Sequence, residues 1–200
     1  TRLKPYTNKV PKCMVKFLNK SILELINHTL SSFHFNKKII VTGYKSNEII
    51  TNDMKRIHNS DYDTSNMVYS LSLCKKFINT DEDLIICYSD IIFDTYTFAK
   101  IYNYKSNTDI QLLSDVNYLN LWSQRIENPL EDLETFKMSK KGYLLEIGKK
   151  TNNFEDIQGQ FIGIIKINKK RINDFFSNYD KLLKEKKNKI KNIFLTDYLQ

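Results

Sequence analysis

The chain has 200 residues, of which 41% are hydrophobic and 27% charged, a balance that fits one globular domain with a sizeable core rather than a disordered or membrane chain. No apolar run approaches the roughly 18 residues that a spanning helix needs, and the chain opens on neither a charged n-region nor an apolar h-region, so a cytoplasmic protein with no membrane span is expected. The formal charge of +8 suits nucleic acid, a membrane surface or a cleft that attracts a polyanionic nucleotide, and does not choose among them.

Five glycines and three prolines punctuate the chain, so turns are read instead from clusters of Asn, Asp, Ser and Lys. Ile22, Leu25, Ile26 and Leu30 recur at helical spacing, which predicts a helix over 21–31 with Ser21 as its N-cap. The β-branched run 38–42, stopped by Gly43 and Tyr44, predicts a buried strand. A short helix over 47–51 and a short strand over 56–58 follow. Met67, Val68, Leu71, Cys74 and Phe77 share one helical face, which predicts a helix over 64–77. The run 83–89 is too short and too β-branched for a helix and predicts a central strand feeding Asp90. A helix over 95–104 and a strand over 109–114 continue the alternation, which implies right-handed crossovers and a largely parallel sheet. Past Trp122, strands over 134–138, 143–147 and 161–167 extend the sheet, and helices over 171–187 and 193–199 close the chain. The expected fold is α/β: a three-layer α/β/α, Rossmann-like domain with a mixed, mostly parallel sheet, spanning 1–200 without an internal boundary.

Lysine is densest between Asn168 and Lys191, where Lys169, Lys170, Arg171, Lys181, Lys184, Lys186, Lys187, Lys189 and Lys191 accompany Phe175, Phe176, Leu182, Leu183 and Ile190. That spacing predicts an amphipathic helix with a solvated basic face, the alternative being an anion-binding patch. Cys13, Cys74 and Cys87 form no C-x-x-C pair, so they read as small buried apolar groups rather than as a disulfide framework or zinc knuckle. His28, His34 and His58 have no metal-ligand spacing, and no Ser-His-Asp order is legible.

The segment Arg2-Leu-Lys-Pro-Tyr-Thr-Asn-Lys-Val-Pro-Lys12 places cations across a proline-stiffened loop. Arg is a planar fork for phosphate oxygens and Lys a point charge, so the pair suits a triphosphate and its pyrophosphate leaving group, against the plainer reading of a solvated basic loop. Ser89-Asp90 ends the predicted central strand, where an Asp either caps the next helix or anchors a divalent cation. Asp94 is the more natural helix cap. Asp132 and Glu134 alternate at a strand start and can face a cationic amine, or simply solvent. Trp122, Tyr118 and Tyr143 offer rings for a quaternary ammonium, or for ordinary core packing.

Thr1-Arg2-Leu3-Lys4-Pro5-Tyr6-Thr7 with Pro11-Lys12 resembles the nucleotidyltransferases that activate sugar phosphates and related acceptors, whose loop reads G-x-G-[ST]-R-L-x-P-x-T followed by P-K. The likeness runs over nearly the whole chain. It implies that Arg2 contacts the β- and γ-phosphates, that Lys12 contacts phosphates of substrate and product, and that Tyr44, Asn66 and Ser70 lie along the nucleotide. Asp90 would bind Mg²⁺. The blocks 122–137, 146–150 and 156–163 are similar to the cytidylyltransferase branch associated with phosphocholine and phosphonate metabolism, which implies CTP as the donor and a small phosphorylated or phosphonylated acceptor. Lys149 or Lys150 stands near the family's Glu-Lys-Pro motif and would hold the acceptor phosphate, with Asp132, Glu134, Gln158 and Gln160 lining the acceptor side. The resemblance also implies a first strand and glycine loop upstream of Thr1 and a second metal-binding aspartate beyond Gln200, with Asp197 not that ligand. The competing expectations are a sugar-1-phosphate nucleotidyltransferase of the same fold and, in another class, a non-catalytic nucleic-acid-binding domain using the basic tail. Nucleic acid is not the partner the resemblance implies, and the oligomeric state is left open.

Overall fold

Two short strands, β1 (Lys16–Phe17) and β2 (Lys20–Ser21), pair antiparallel around Leu18 and Asn19, whose φ of 49° and 64° give the positive values a tight two-residue hairpin turn requires. Ser21 ends β2 and begins α1 (Ile22–Leu30): its hydroxyl accepts from the Glu24 amide at 3.2 Å while the Glu24 carboxylate accepts from the Ser21 amide at 2.5 Å, a reciprocal cap that satisfies two otherwise unpaired helix donors. The helix buries Ile22, Leu23 and Ile26. A computed structural model describes residues 3–200, and of 186–189 the backbone only.

β3 (Ile39–Thr42) and β4 (Lys55–His58) pair in parallel, Ile39 opposite Lys55. The helix expected over 47–51 is a single 3-10 turn at Ser46–Glu48, because Lys45 adopts a left-handed conformation before it and Ile49 leaves it extended and buried. The helix expected over 64–77 shrinks to α2 (Met67–Ser72). Before it, Thr64 and Ser65 are held in a turn on the Asp61 carbonyl, and Asn66, in extended conformation, caps the helix from Met67. β5 (Leu84–Cys87), α3 (Thr95–Asn103) and β6 (Ile110–Asp115) follow as expected. The Asp94 side chain accepts from the Thr97 amide at 2.7 Å and so caps α3. The sequence pattern gave no sign of α4 (Tyr118–Ser123), and then come β7 (Glu134–Met138), β8 (Leu144–Lys150), β9 (Gln160–Ile167), α5 (Lys169–Lys186) and α6 (Leu195–Leu199).

The sheet is mixed, but the expectation of a mostly parallel one is corrected. Among the described strands only β3–β4 is a parallel pair, whereas β9 lies between β5 and β6 and runs antiparallel to both, and β7–β8 is an antiparallel ribbon. The cause lies in the path of the chain: after β6 it makes the β7–β8 excursion and re-enters at the end where β6 stops, Gln160 beside Asp115, so that β9 runs back against both neighbours.

β9 is the apolar spine. Its Ile165 and Ile167 pack with Ile172, Phe175, Phe176 and Tyr179 of α5, Leu195 of α6 and Val68 of α2, while Ile164 faces Phe98 and Ile101 of α3. Helices therefore cover both faces of this sheet, and each fully buried side chain contributes about 1.5–3 kcal/mol. Lys166 is buried among them with its ammonium donating to the Tyr102 and Tyr104 carbonyls at 3.2 and 3.1 Å and lying 3.5 Å from the Asp83 carboxylate, the pairing a buried charge demands. Among the described residues no helix is long and apolar enough to cross a membrane.

Candidate active site

The carboxyl end of β5 carries the chain through Tyr88 and Ser89 to Asp90. Separately, a 3-10 turn at Lys12–Met14 is pinned by Cys13, which is buried with Leu23, Ile40 and Ile49. These two anchors bring Lys12 to Asp90: Nζ donates to Oδ2 at 3.1 Å, with the side chains 47% and 35% exposed. A cation and a carboxylate 78 residues apart in sequence thus meet in water-accessible space at the end of the sheet. The Asp90 charge also bears on the neighbouring thiols. Burial first, and Asp90 second, raise Cys87 to about 12; for Cys13, burial and Asp90 likewise push upward, against a hydrogen bond from its own backbone. Both thiols are protonated at neutral pH and neither is a nucleophile.

Arg2 lies outside the described residues. The rest of its loop is tied to the turn after β3, where the Tyr44 hydroxyl donates to the Thr7 carbonyl at 3.5 Å and the Lys45 ammonium to the Asn8 carbonyl. Tyr44 therefore borders the loop that carries Lys12. Asn66 and Ser70 are occupied within the protein: Asn66 caps α2 and donates to the Asn192 carbonyl at 3.3 Å, and Ser70 accepts at 3.0 Å from the buried amide of Asn59.

A second group of side chains gathers where β7 and β8 pair. Glu134 faces Lys150 across the ribbon, and its carboxyl is pushed above the ordinary range by burial, against the pull of Lys150 and with the charges of Asp197 and Asp132 adding to the rise. The Lys150 ammonium donates to the Glu131 carbonyl at 3.2 Å. Lys149 belongs to another cluster, 2.7 Å from Glu146, which with Asp156 also flanks Lys137. Of the two candidate lysines, Lys150 is the one beside Glu134. Asp132 accepts from the Trp122 indole at 3.2 Å. Tyr118 is buried, donating to the Ile157 carbonyl at 2.8 Å, and Arg125 lies 5.0 Å over the Trp122 ring, so these aromatics form part of the packing around α4 rather than an open cage. Gln158 accepts from the Met138 amide, and the buried Gln160 donates to the Glu134 carbonyl at 2.6 Å. Both glutamines brace the start of β9 against β7.

Tyr88 follows β5 directly and precedes Asp90 by two residues, and in the sequence it lies unmarked inside the strand predicted over 83–89. Its ring packs edge-on to Phe161 at 5.8 Å and lies against Gly163. The charges of Glu134 and Asp90 both bear on its phenol, which burial pushes well above the usual tyrosine range.

Among the described residues no three His, Cys, Asp or Glu side chains converge to hold a metal, so a resident all-protein metal cage is not formed. Asp90 is a hard oxygen donor of the kind Mg²⁺ uses when phosphate oxygens and water complete its shell. The basic tail is partly neutralised, Arg171 by Asp109 and Asp174 at 3.0 Å each and Lys191 by Asp61 at 2.9 Å, while the side chains of Lys186, Lys187 and Lys189 lie outside the described residues.

An α/β sheet covered by helices on both faces, with a lysine–carboxylate pair exposed at the end of a strand, places the chain in the doubly covered sheet class. The chain belongs to the nucleotidyl transferase family, whose model matches residues 1–114. It is 35% identical, over its entire length and 83% of the relative's, to CTP:phosphoglutamine cytidylyltransferase of Campylobacter jejuni subsp. jejuni. The inositol-1-phosphate CTP transferase of T. maritima superposes with a TM-score of 0.72 at 18% identity, covering 100% of this chain and 75% of that one. CTP:phosphocholine cytidylyltransferase of Streptococcus pneumoniae superposes at 0.62 and 15% identity, covering 100% and 78%. The chain is accordingly a nucleotidyltransferase, which removes the non-catalytic nucleic-acid-binding alternative.

Proposed function

We propose that the protein transfers CMP from CTP to a small phosphorylated or phosphonylated acceptor, releasing pyrophosphate, on a three-layer α/β/α frame. The observation that carries this reading is the approach of Lys12 to Asp90 at the open end of β5, which gathers a phosphate ligand and a Mg²⁺-suited carboxylate at one point. The 35% identity to a curated cytidylyltransferase supports CTP as the donor. Phosphoglutamine is the acceptor named for the curated relative, and phosphocholine and 2-aminoethylphosphonate are those the sequence resemblance implies.

In this reading Lys12 leaves Asp90 for the triphosphate oxygens when the nucleotide binds, with Arg2 as a second phosphate ligand and Tyr44, Asn66 and Ser70 along the nucleotide. Asp90 fits the role of Mg²⁺ anchor because it is exposed and, among the described residues, its carboxylate pairs only with the Lys12 ammonium, leaving oxygens for a hard cation. A divalent ion held by Asp90 would supply positive charge to offset the two anions brought together. Lys150 holds the acceptor phosphoryl group beside Asp132 and Glu134, whose carboxylates suit an amine on the acceptor. An acceptor oxygen forms a bond to the α-phosphorus in line with the α–β bridging bond, which breaks with its electron pair leaving on pyrophosphate. The attacking oxygen is already anionic at neutral pH, so no general base is needed.

Pyrophosphate release, measured across the four NTPs with Mg²⁺ and those three acceptors plus a hexose-1-phosphate, tests the reading. CTP with one of the small acceptors should dominate; turnover with the hexose alone would overturn it. Asp90→Asn should lower kcat/KM by at least about a thousandfold while the melting temperature barely moves, since an exposed ion pair adds only about 0–1 kcal/mol. Retained activity in that variant would remove Asp90 from the mechanism.

A further inference from the structure

We propose that the Tyr88 hydroxyl donates a hydrogen bond to the phosphoryl group of the acceptor. The inference rests on the reading of the site given above and adds a residue to it. Tyr88 stands directly after β5 and two residues before Asp90, and its amide donates to the Gly163 carbonyl at 2.9 Å, which fixes its backbone to β9. The ring is fixed as well. It meets Phe161 edge-on at 5.8 Å and covers Gly163 so closely that a Cβ there would stand 2.7 Å from ring carbons. Phe161 follows Gln160, whose amide nitrogen holds the Glu134 carbonyl at 2.6 Å. A short continuous path, Glu134 to Gln160 to Phe161 to Tyr88 to Asp90, therefore links the acceptor and nucleotide residues through Tyr88.

The hydroxyl itself is unused. Among the described residues it has no hydrogen-bond partner, whereas Tyr69, Tyr102, Tyr118 and Tyr198 each spend theirs on a carboxylate or carbonyl. Phenylalanine would fill the same contacts with Phe161 and Gly163, so packing does not account for the oxygen. It is also not enclosed, since it is absent from the buried unpaired oxygens of Thr51, Gln111 and Tyr179. What suits it is an anionic oxygen arriving from solution. A phosphoryl group must aim one oxygen at the α-phosphorus while its others are held. Lys150, across from Glu134, supplies charge, and a neutral phenol supplies direction without adding a second cation that would damp the nucleophile. The tetrahedral phosphate or phosphonate head of the acceptor is the group recognised, whatever it is attached to.

The test is Tyr88→Phe, which keeps the ring. With the nucleotide site filled by a non-hydrolysable CTP analogue and Mg²⁺, calorimetric titration with inorganic phosphate as the acceptor-head probe should show binding about 10- to 100-fold weaker than in the wild type. In turnover, KM for the acceptor should rise by a similar factor while KM for CTP stays within about twofold, a split that a purely structural role would not produce. Equal phosphate affinity in the two proteins, or no phosphate binding by the wild type, overturns the inference. The two ideas fail separately. Active wild type, inactive Asp90→Asn and a Tyr88→Phe variant kinetically equal to wild type would leave the transferase reading standing and remove Tyr88. Absence of pyrophosphate release with every acceptor would count against the reading itself, and the phosphate titration would still decide Tyr88.

Discussion

Glu134 begins β7 with its carboxyl raised, first by burial, against Lys150 and with Asp197 and Asp132 adding to the rise. A folded-state pKa above the unfolded one means that the group's contribution to stability is fully present below the unfolded pKa and is lost as pH rises through the folded value. Glu134→Gln should therefore raise the melting temperature at pH 7–8 and lose that advantage toward pH 4, measured by thermal unfolding across the range. A variant that melts lower than wild type at pH 7 with the same pH slope would show that the charge is stabilised rather than strained. At this scale Lys12 and Asp90 were each legible through a short motif, but no spacing rule relates residues 78 positions apart. Lys149 and Lys150 were indistinguishable in the sequence because adjacent lysines are chemically alike; the ribbon puts them in different surroundings, Lys150 opposite Glu134 and Lys149 beside Glu146. Tyr88 was illegible because a tyrosine closing an apolar run reads as core.

The cap of α1 is an element whose sequence signal and structure coincide. Ser21 and Glu24 exchange hydrogen bonds, and removing the hydroxyl by Ser21→Ala should cost about 1 kcal/mol, lowering the melting temperature by about 2–4 °C in a chain of this size. Because the same helix packs against the turn that carries Lys12, through Leu23 and Cys13, KM for CTP is the second readout; a change in neither quantity would show that the cap is redundant. The strand over 38–42 was readable because a β-branched run between turn residues admits few other conformations. Helices were overestimated where local side-chain bonds compete with the helical pattern. Thr64 and Ser65 spend their bonds on Asp61, so the apolar stripe from Met67 to Phe77 continues past a helix that has already started late and ends at Ser72. The β1–β2 hairpin left no trace because Leu18 and Asn19 occupy positive φ at positions where glycine is the usual marker.

Across the molecule, β9 links two cores, one under α5 and α6 and the other under α3. Phe98→Ala, at a fully buried site on the α3 side, should cost about 3–5 kcal/mol. The loss should appear in one cooperative transition, so that urea unfolding followed by far-UV circular dichroism and by the fluorescence of the single tryptophan, Trp122, gives coincident curves. Separate transitions would mean that the two faces unfold independently. The alternation of helices and strands was legible along most of the chain, yet strand direction was not, since an apolar run such as Phe161–Ile167 has the same pattern read either way. That direction has a consequence for synthesis. β5 and β6 are complete by residue 115, but their shared partner is not translated until residue 167, and through that interval their main-chain edges stand open to any neighbouring nascent chain. The last third of the polypeptide thus acts as the closing piece, and premature termination before it would release a fragment inclined to aggregate rather than a smaller working enzyme.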